Sequence, residues 1–198
     1  PAFLGYRPDG VKEAYPFALC ASVNNVIVHG QPYNYELKSG DLLKLDLGVD
    51  WKGGISDSAI TVLIGKVSKE KKELAKITKD ALLAGIKASR GGNTIGDIGH
   101  AIKEVVVKNH GFVVDGLTGH GVGEKLHEEP SVFNFGTPGE GMKLRPGMVL
   151  ALEPMVSMGT SRIKQLPDDS FATADGSDSA HFEHTILITE GKPEILTN

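Results

Sequence analysis

The sequence has few of the features that would place the protein in a membrane, on nucleic acid or in an oxidising compartment. A single cysteine, Cys20, excludes an intrachain disulfide. There is neither a signal-like segment nor an apolar run long enough to span a bilayer. The net charge of -4 is made by 21 basic and 25 acidic residues mixed along the chain, so no basic stripe is available for nucleic acid or anionic lipid. We therefore expect a cytoplasmic protein without a nucleic-acid or membrane partner.

Length and glycine distribution indicate one domain. The chain has 198 residues, 40% of them hydrophobic, which is enough for one hydrophobic core. Its 25 glycines are spread among turns and do not form a linker. We expect residues 1–198 to fold as a single domain.

Alternating polarity predicts a β-hairpin in the first third of the chain. Apolar and polar residues alternate over 41–50, which is the period of a strand. A turn-like segment over 51–54 follows, and 56–64 is again rich in β-forming residues. A two-residue turn would put Asp46 and Asp57 on the same face of this hairpin.

Two helices are predicted after the hairpin. Apolar residues at helical spacing indicate a helix over 67–90 that begins near Ser68. Thr94 and Asp97 form a capping-box pattern for a second helix, which ends at Gly111. Three later segments resemble strands: 112–114, 148–156 and 181–189. This order predicts an α+β domain in which helices back a curved, largely antiparallel sheet.

Acidic residues in the predicted strands suggest a metal site. Like charges at Asp46 and Asp57 would repel across the hairpin, and burying either one unpaired is costly. A cation between them would remove the conflict, and a solvated sheet face is the alternative. Glu153 and Glu183 each lie in an otherwise apolar strand with no Lys or Arg close in sequence. Ion pairing with a distant base is the alternative for these two.

Two histidines lie in a glycine-rich segment over 119–130. His120 and His127 are seven residues apart in GHGVGEKLHEEP. Glycine allows close approach to a bound group, and neutral imidazole is the commonest nitrogen ligand of divalent metals. A lone histidine is more often a surface or core residue, but two in this setting favour a site. Four carboxylates and one imidazole suit two divalent ions such as Mn, Fe, Co or Zn, which activate water for hydrolysis.

The motifs together resemble those of methionine aminopeptidases with the pita-bread fold. They are VIVHGQP over 26–32, the aspartates 46 and 57, HGxGxxxHEEP from His120, EPMV from Glu153 and FEHT from Phe182. Each motif alone is weak, but five in this order along the whole chain are specific. The short interval between His127 and Glu153 resembles the first, bacterial-like type.

The resemblance implies two divalent metal ions and a role for each ligand. Asp46 would chelate one ion, and Asp57 and Glu183 would bridge both. His120 and Glu153 would complete the second site.

The resemblance also implies catalytic roles. His127 would polarise the scissile carbonyl and stabilise the tetrahedral intermediate, and His29 would contact the substrate at the scissile amide. Glu153, with Glu183 as the alternative, would relay the proton of the attacking water. The remaining histidines are expected to be structural or surface residues: His100, His110, His181 and His184.

The implied substrates are peptides that begin with methionine, as newly made chains do. The ribosome is therefore a possible partner. Phe3, Tyr6, Tyr15 and Cys20 fall where the family builds its methionine pocket, and aromatic walls with sulfur contacts suit a flexible thioether. Ordinary core packing is the alternative for these four residues. The pocket departs from the family at Leu126, where many bacterial members carry phenylalanine, and in lacking a tryptophan upstream of the last glutamate.

The start of the chain and the choice of substrate are each open to more than one interpretation. Family members generally carry a helical segment before the PAFLGY element at 1–6, so we expect that segment to be missing, in a short protein or in a piece of a longer one. A truncated domain could be inactive. Prolidases and aminopeptidase P use a similar ligand set, and a binding protein could keep the scaffold without catalysis. The five retained ligands favour an enzyme, and the HEEP motif with its aromatic cluster favours methionine.

Overall fold

The structure is a computed structural model that describes residues 1–7 and 13–197. Within these residues the helices are α1 (Lys69–Ala88) and α2 (Ile95–Lys108). The strands are β1 (Cys20–Val23), β2 (Val26–Val28), β3 (Leu42–Trp51), β4 (Gly54–Leu63), β5 (Phe112–Val113), β6 (Gly119–Gly121), β7 (Glu128–Val132), β8 (Val149–Leu152), β9 (Met155–Ser157), β10 (Ile163–Gln165), β11 (Phe171–Thr173), β12 (Ser179–His181), β13 (Glu183–Leu187) and β14 (Glu194–Ile195).

An eight-stranded sheet forms the centre of the fold. Its order is β1-β3-β4-β13-β8-β6-β7, with β14 paired to β13. Two three-stranded sheets accompany it, β10-β11-β2 and β12-β9-β5. All strand pairs in the described residues are antiparallel. The predicted α+β class with a largely antiparallel sheet is confirmed.

The predicted hairpin is formed by β3 and β4. Its two turn residues, Lys52 and Gly53, both have positive φ, 55° and 85°, as the type I′ turn of a two-residue hairpin requires. Asp46 pairs with Ala59, and Asp57 lies two positions from Ala59 along β4. The two aspartates therefore share one face, as predicted, but they are diagonal to each other and not directly opposed.

Both predicted helices are present and pack against each other and the sheet. The Ser68 side chain caps α1 by accepting from the backbone N–H of Lys71. Thr94 and Asp97 cap each other's backbone N–H groups at the start of α2, which confirms the capping box. The core between helices and sheet contains Leu74, Ile77, Leu82, Ile98, Ile102, Leu150, Leu152 and Ile186. Of the helices formed by the described residues, neither is long and apolar enough to cross a membrane.

Two segments predicted as continuous strands are each divided into two. The chain leaves β8 at Glu153 and resumes as β9 after Pro154, and it leaves β12 at Phe182 and resumes as β13. The prediction of unbroken strands was wrong because each segment changes sheets: β8 and β13 belong to the central sheet, whereas β9 and β12 belong to a three-stranded sheet. Pro154 also removes a backbone donor at one crossing. Glu153 and Glu183 lie beside these crossings.

Strand β6 carries His120 between two glycines, where neighbouring backbones approach closely. A Cβ atom placed on Gly119 would lie 2.3 Å from the Ala151 carbonyl oxygen, and one on Gly121 would lie 2.3 Å from the Glu129 carbonyl oxygen. Real Cβ atoms do not come so close to backbone. The glycines are therefore needed for β6 to fit between β7 and β8.

We predict that Gly121→Ala destabilises the protein, because the added methyl group must displace the backbone of β7 at Glu129. Overpacking of this kind costs about 1–3 kcal/mol of unfolding free energy, which thermal and chemical denaturation would measure. Gly191→Ala is the matched control, since nothing lies within 4 Å of a Cβ atom there. Equal stability of the two variants would contradict the prediction.

Candidate metal centre and active site

A row of acidic side chains crosses one face of the central sheet. Asp46 on β3 pairs with Ala59 on β4, and Ala59 pairs in turn with Glu183 on β13. Strand β13 pairs with β8, and β12 pairs with β9, in the same register on either side of the change of sheets. Continuing that register across the change places Glu153 opposite Glu183. Paired residues point to the same face of a sheet. Only the small side chain of Ala59 separates Asp46 from Glu183 in this row.

Asp57 and His120 complete the group. Asp57, His120 and Glu183 are buried, and each offers one possible ligand atom within 4.8 Å of the others. His120 Nε2 also lies 3.5 Å from Glu153 Oε1. The five residues predicted as metal ligands therefore lie in one region of the fold.

Burial in this region disfavours the charged form of every carboxyl group. Burial raises the pKa of Asp57 to about 6. Burial, followed by the charge of Asp57, raises the pKa of Glu153 and of Glu183 well above the usual range. The same two causes raise the pKa of Asp46. Four carboxylates cannot all ionise here without a compensating positive charge.

Two carboxylate oxygens have no hydrogen-bond partner among the described residues. They are Asp46 Oδ1 and Glu183 Oε1, and both are buried. Buried polar atoms are nearly always satisfied, and oxygens that find no donor are suited to bind a cation. A set of carboxylate oxygens with one imidazole nitrogen fits divalent ions such as Mn, Fe, Co and Zn. The residues present therefore fit a divalent metal centre.

The His120 ring is oriented as a metal ligand requires. Its Nδ1 lies 2.9 Å from the carbonyl oxygen of Gly121, an acceptor that fixes the proton on Nδ1. Nε2 is then unprotonated and faces the carboxyl groups. Burial lowers the pKa of His120, which keeps the ring neutral.

His127 lies beside His120 and is held by Tyr6. The two imidazole rings are 4.3 Å apart, edge to face, and the Tyr6 hydroxyl hydrogen-bonds to His127 Nδ1. Part of the residue is exposed, but loss of solvent around the ring, followed by repulsion from His120 when that ring is protonated, lowers the pKa of His127 to about 4. The ring is therefore neutral near pH 7. In the tautomer whose Nδ1 accepts from the Tyr6 hydroxyl, Nε2 carries the proton and is able to donate it in a hydrogen bond.

His29 follows β2 and belongs to the same group of histidines. It has a positive φ of 60°, and its ring contacts that of Phe171 with centroids 5.8 Å apart. Part of the residue is exposed, but its ring is largely surrounded by protein. This loss of solvent, followed by repulsion from His127 and His181 when those rings are protonated, lowers the pKa of His29 to about 4. The neutral His29 ring therefore has a nitrogen free of charge that could accept or donate a hydrogen bond.

The residues predicted to form the side-chain pocket lie together beside the acidic row. Phe3 and Cys20 are buried in one cluster, with Tyr6 and Tyr15 packed against it. Leu126 belongs to the same cluster. The connection to the acidic row is direct, because Cys20 is the β1 residue that pairs with Asp46.

His181, expected to be a structural or surface residue, is buried beside Glu153 and does not lie on the surface. The residue is 1% exposed, and its Nε2 is 3.5 Å from Glu153 Oε2. It stands two residues before Glu183, across the change of sheets from β12 to β13, so a strand period alone does not place it.

Two threonine hydroxyls hold this part of the sheet in register. Thr185 Oγ1 accepts from the backbone N–H of Asp57 and donates to its carbonyl, both at 2.8 Å. Thr61 Oγ1 does the same for His181, at 2.9 Å and 2.7 Å. Both threonines are buried, and both escaped sequence analysis because threonine is an ordinary strand residue.

Relatives with named activities are found along the whole chain. The chain is 47% identical over 184 residues to a methionine aminopeptidase of Clostridium perfringens, covering 92% of this chain and 74% of that protein. It is 41% identical over 198 residues to methionine aminopeptidase 1 of Bacillus subtilis, covering 100% of this chain and 77% of that protein.

Solved structures give the same result. The crystal structure of a methionine aminopeptidase from Thermotoga maritima matches with a TM-score of 0.93 and 44% identity, over 100% of this chain and 78% of that chain. A prolidase from Pyrococcus horikoshii matches with a TM-score of 0.72 and 23% identity, over 92% and 48% of the two chains, and shares the fold. These matches confirm the predicted pita-bread fold. Residues 3–190 also match the sequence model of metallopeptidase family M24. The chain therefore belongs to that family.

Proposed function

We propose that this protein is a metal-dependent aminopeptidase that removes the N-terminal methionine from newly made peptides. The observation that carries the proposal is the buried row of carboxyl groups joined by one neutral histidine, which fits a hydrolytic metal centre. The choice of methionine rests on relatives named methionine aminopeptidase that are 41% and 47% identical. The proposed setting is the cytoplasm, where new chains leave the ribosome.

Five residues would hold two divalent ions, with Mn, Fe, Co or Zn as the candidates. In this proposal Asp57 and Glu183 would serve both ions, and Asp46 would serve one of them. His120 and Glu153 would serve the other. A pair of divalent ions held there supplies Lewis acidity and lowers the pKa of water.

The surrounding histidines and Glu153 provide the remaining functions. His127 donates its Nε2 proton in a hydrogen bond to the carbonyl oxygen as negative charge develops on it, and Tyr6 fixes the tautomer that makes this possible. His29 contacts the scissile amide. Glu153 accepts the proton that the attacking water loses.

The apolar cluster beside the acidic row would receive the methionine side chain. Phe3 and Tyr15 meet edge to face with ring centroids 6.4 Å apart, and Cys20 and Leu126 lie beside them. Aromatic and sulfur contacts suit the polarisable thioether of methionine. Tyr6 joins this cluster to His127.

We expect the purified protein, loaded with Mn, Fe or Co, to release methionine from the peptide Met-Ala-Ser. Asp46→Asn should lower the rate by more than about 100-fold, since even outer partners of metal ligands change affinity or activity by about 10- to 100-fold. Chromatographic measurement of free methionine would follow both reactions. Asp50→Asn is the matched control, because Asp50 is an exposed aspartate on the same strand.

Two results would contradict the proposal. Equal cleavage of an Xaa-Pro peptide would identify a proline-directed peptidase instead. Full activity in Asp46→Asn would remove Asp46 from the metal site.

Tyr6→Phe tests the proposed orientation of His127. Loss of the hydroxyl removes a hydrogen bond worth about 1 kcal/mol, so kcat should fall about fivefold while metal content stays unchanged. Steady-state kinetics on Met-Ala-Ser would measure the change, with Tyr33→Phe as the control because Tyr33 is 64% exposed. A wild-type kcat in Tyr6→Phe would refute the orienting role.

The raised carboxyl pKa values predict how metal binding depends on pH. A carboxyl group with a higher pKa in the folded state binds an extra proton there, so the unfolding free energy of the metal-free protein falls as pH rises between the unfolded and folded pKa values. For Asp57 this interval runs from 3.8 to about 6. Divalent ions must displace these protons, so they bind more tightly as pH rises.

The increase in melting temperature caused by Mn²⁺ should therefore be larger at about pH 7.5 than at about pH 5. Scanning fluorimetry at fixed Mn²⁺ concentration would measure it. Asp57→Asn, which cannot lose a proton at this position, should show a weaker dependence on pH. An equal increase at both pH values in the wild type would be inconsistent with buried, protonated ligands.

A further inference from the structure

We propose that His181 is a positioning residue that orients the Glu153 carboxylate for metal binding by directing its Nε2 proton at Glu153 Oε2. This inference rests on the proposed metal centre. His181 lies outside the five ligands, and its assigned partner is the ligand and not the substrate.

The two oxygens of Glu153 have different histidine neighbours. Oε1 lies 3.5 Å from His120 Nε2, and Oε2 lies 3.5 Å from His181 Nε2. The Nε2 of His120 has no proton, because the single proton of the neutral ring is on Nδ1, which donates it to the Gly121 carbonyl. Of these two rings, only that of His181 has a proton to offer Glu153.

The His181 ring is free to make this interaction. Among the described residues neither of its ring nitrogens has a hydrogen-bond partner, although both are buried. An unsatisfied buried imidazole costs free energy and requires an explanation. A proton on Nε2 that is directed at Glu153 provides one.

The backbones on both sides of the contact are already fixed. Thr61 holds the N–H and the carbonyl of His181. Asn134 Nδ2 donates to the Glu153 carbonyl oxygen at 3.1 Å. Since the backbones are held, the direction of the Glu153 carboxylate is the degree of freedom that remains, and His181 is the group placed to set it.

Outer partners of this kind change metal affinity by about 10- to 100-fold. His181→Met, which fills a similar volume without a donor, should therefore weaken Mn²⁺ binding by about that factor. His181→Gln keeps an N–H group near the position of Nε2 and should restore affinity to within about threefold of wild type. Titration calorimetry would measure the affinities, and the visible spectrum of the Co²⁺ form would report the ligand geometry.

The matched control is His100→Gln, the same substitution on helix α2 away from the site, which should bind Mn²⁺ as the wild type does. If His181→Met does not fold, His181→Asn replaces it, because the shorter amide cannot reach Glu153. The inference is then supported if the His181→Asn variant binds Mn²⁺ weakly and the His181→Gln variant binds it well. Wild-type affinity in the Met or Asn variant, or binding by Gln as weak as theirs, would overturn it.

Measuring metal binding and peptide cleavage separately distinguishes a failure of this inference from a failure of the proposed function. A wild-type protein that binds Mn²⁺ but does not cleave Met-Ala-Ser would refute the function, while the comparison of His181 variants would still decide the positioning role. Cleavage of the peptide together with unchanged Mn²⁺ affinity and Co²⁺ spectrum in His181→Met would refute the positioning role alone.

Discussion

Four carboxyl groups share one buried region of the sheet, and the rest of the site is arranged around that unfavourable concentration of charge. Removing an ion from water costs several kcal/mol even after the protein relaxes, and here the charge of Asp57 adds to the effect of burial on its neighbours. The metal-free protein limits the cost by holding protons on these groups. Divalent ions bound in their place would let the carboxylates ionise and would remove that cost.

The fold concentrates these groups through the register of its strands. Asp46, Ala59 and Glu183 are aligned across three neighbouring strands, and the change of sheets after β8 places Glu153 opposite Glu183. Where regular pairing is interrupted, the hydroxyls of Thr61 and Thr185 take over the backbone hydrogen bonds. Ligands are therefore set on a rigid framework before any ion binds, which reduces the ordering that binding has to impose.

Local sequence patterns predicted the parts of this framework that depend on near neighbours. The hairpin with Asp46 and Asp57 on one face, and the helix start at Thr94, follow from short-range periodicity and capping. The pairing of β4 with β13 was beyond such reasoning, because it joins Ala59 to Glu183 over more than a hundred residues. The proximity of His181 to Glu153 could not be predicted for the same reason, because Glu153 is distant in sequence and lies beyond a change of sheets.

The proposed pocket and the proposed catalytic group meet in one side chain. Tyr6 packs against the cluster of Phe3 and Cys20 and also hydrogen-bonds to His127. A methionine side chain that fills the pocket would restrict the Tyr6 ring, and through it the His127 ring that faces the developing charge. Binding energy from a remote side chain would then be used to orient a catalytic group, so a poor side chain should lower kcat as well as raise KM. In this arrangement, selectivity for methionine and stabilisation of the transition state depend on the same hydrogen bond.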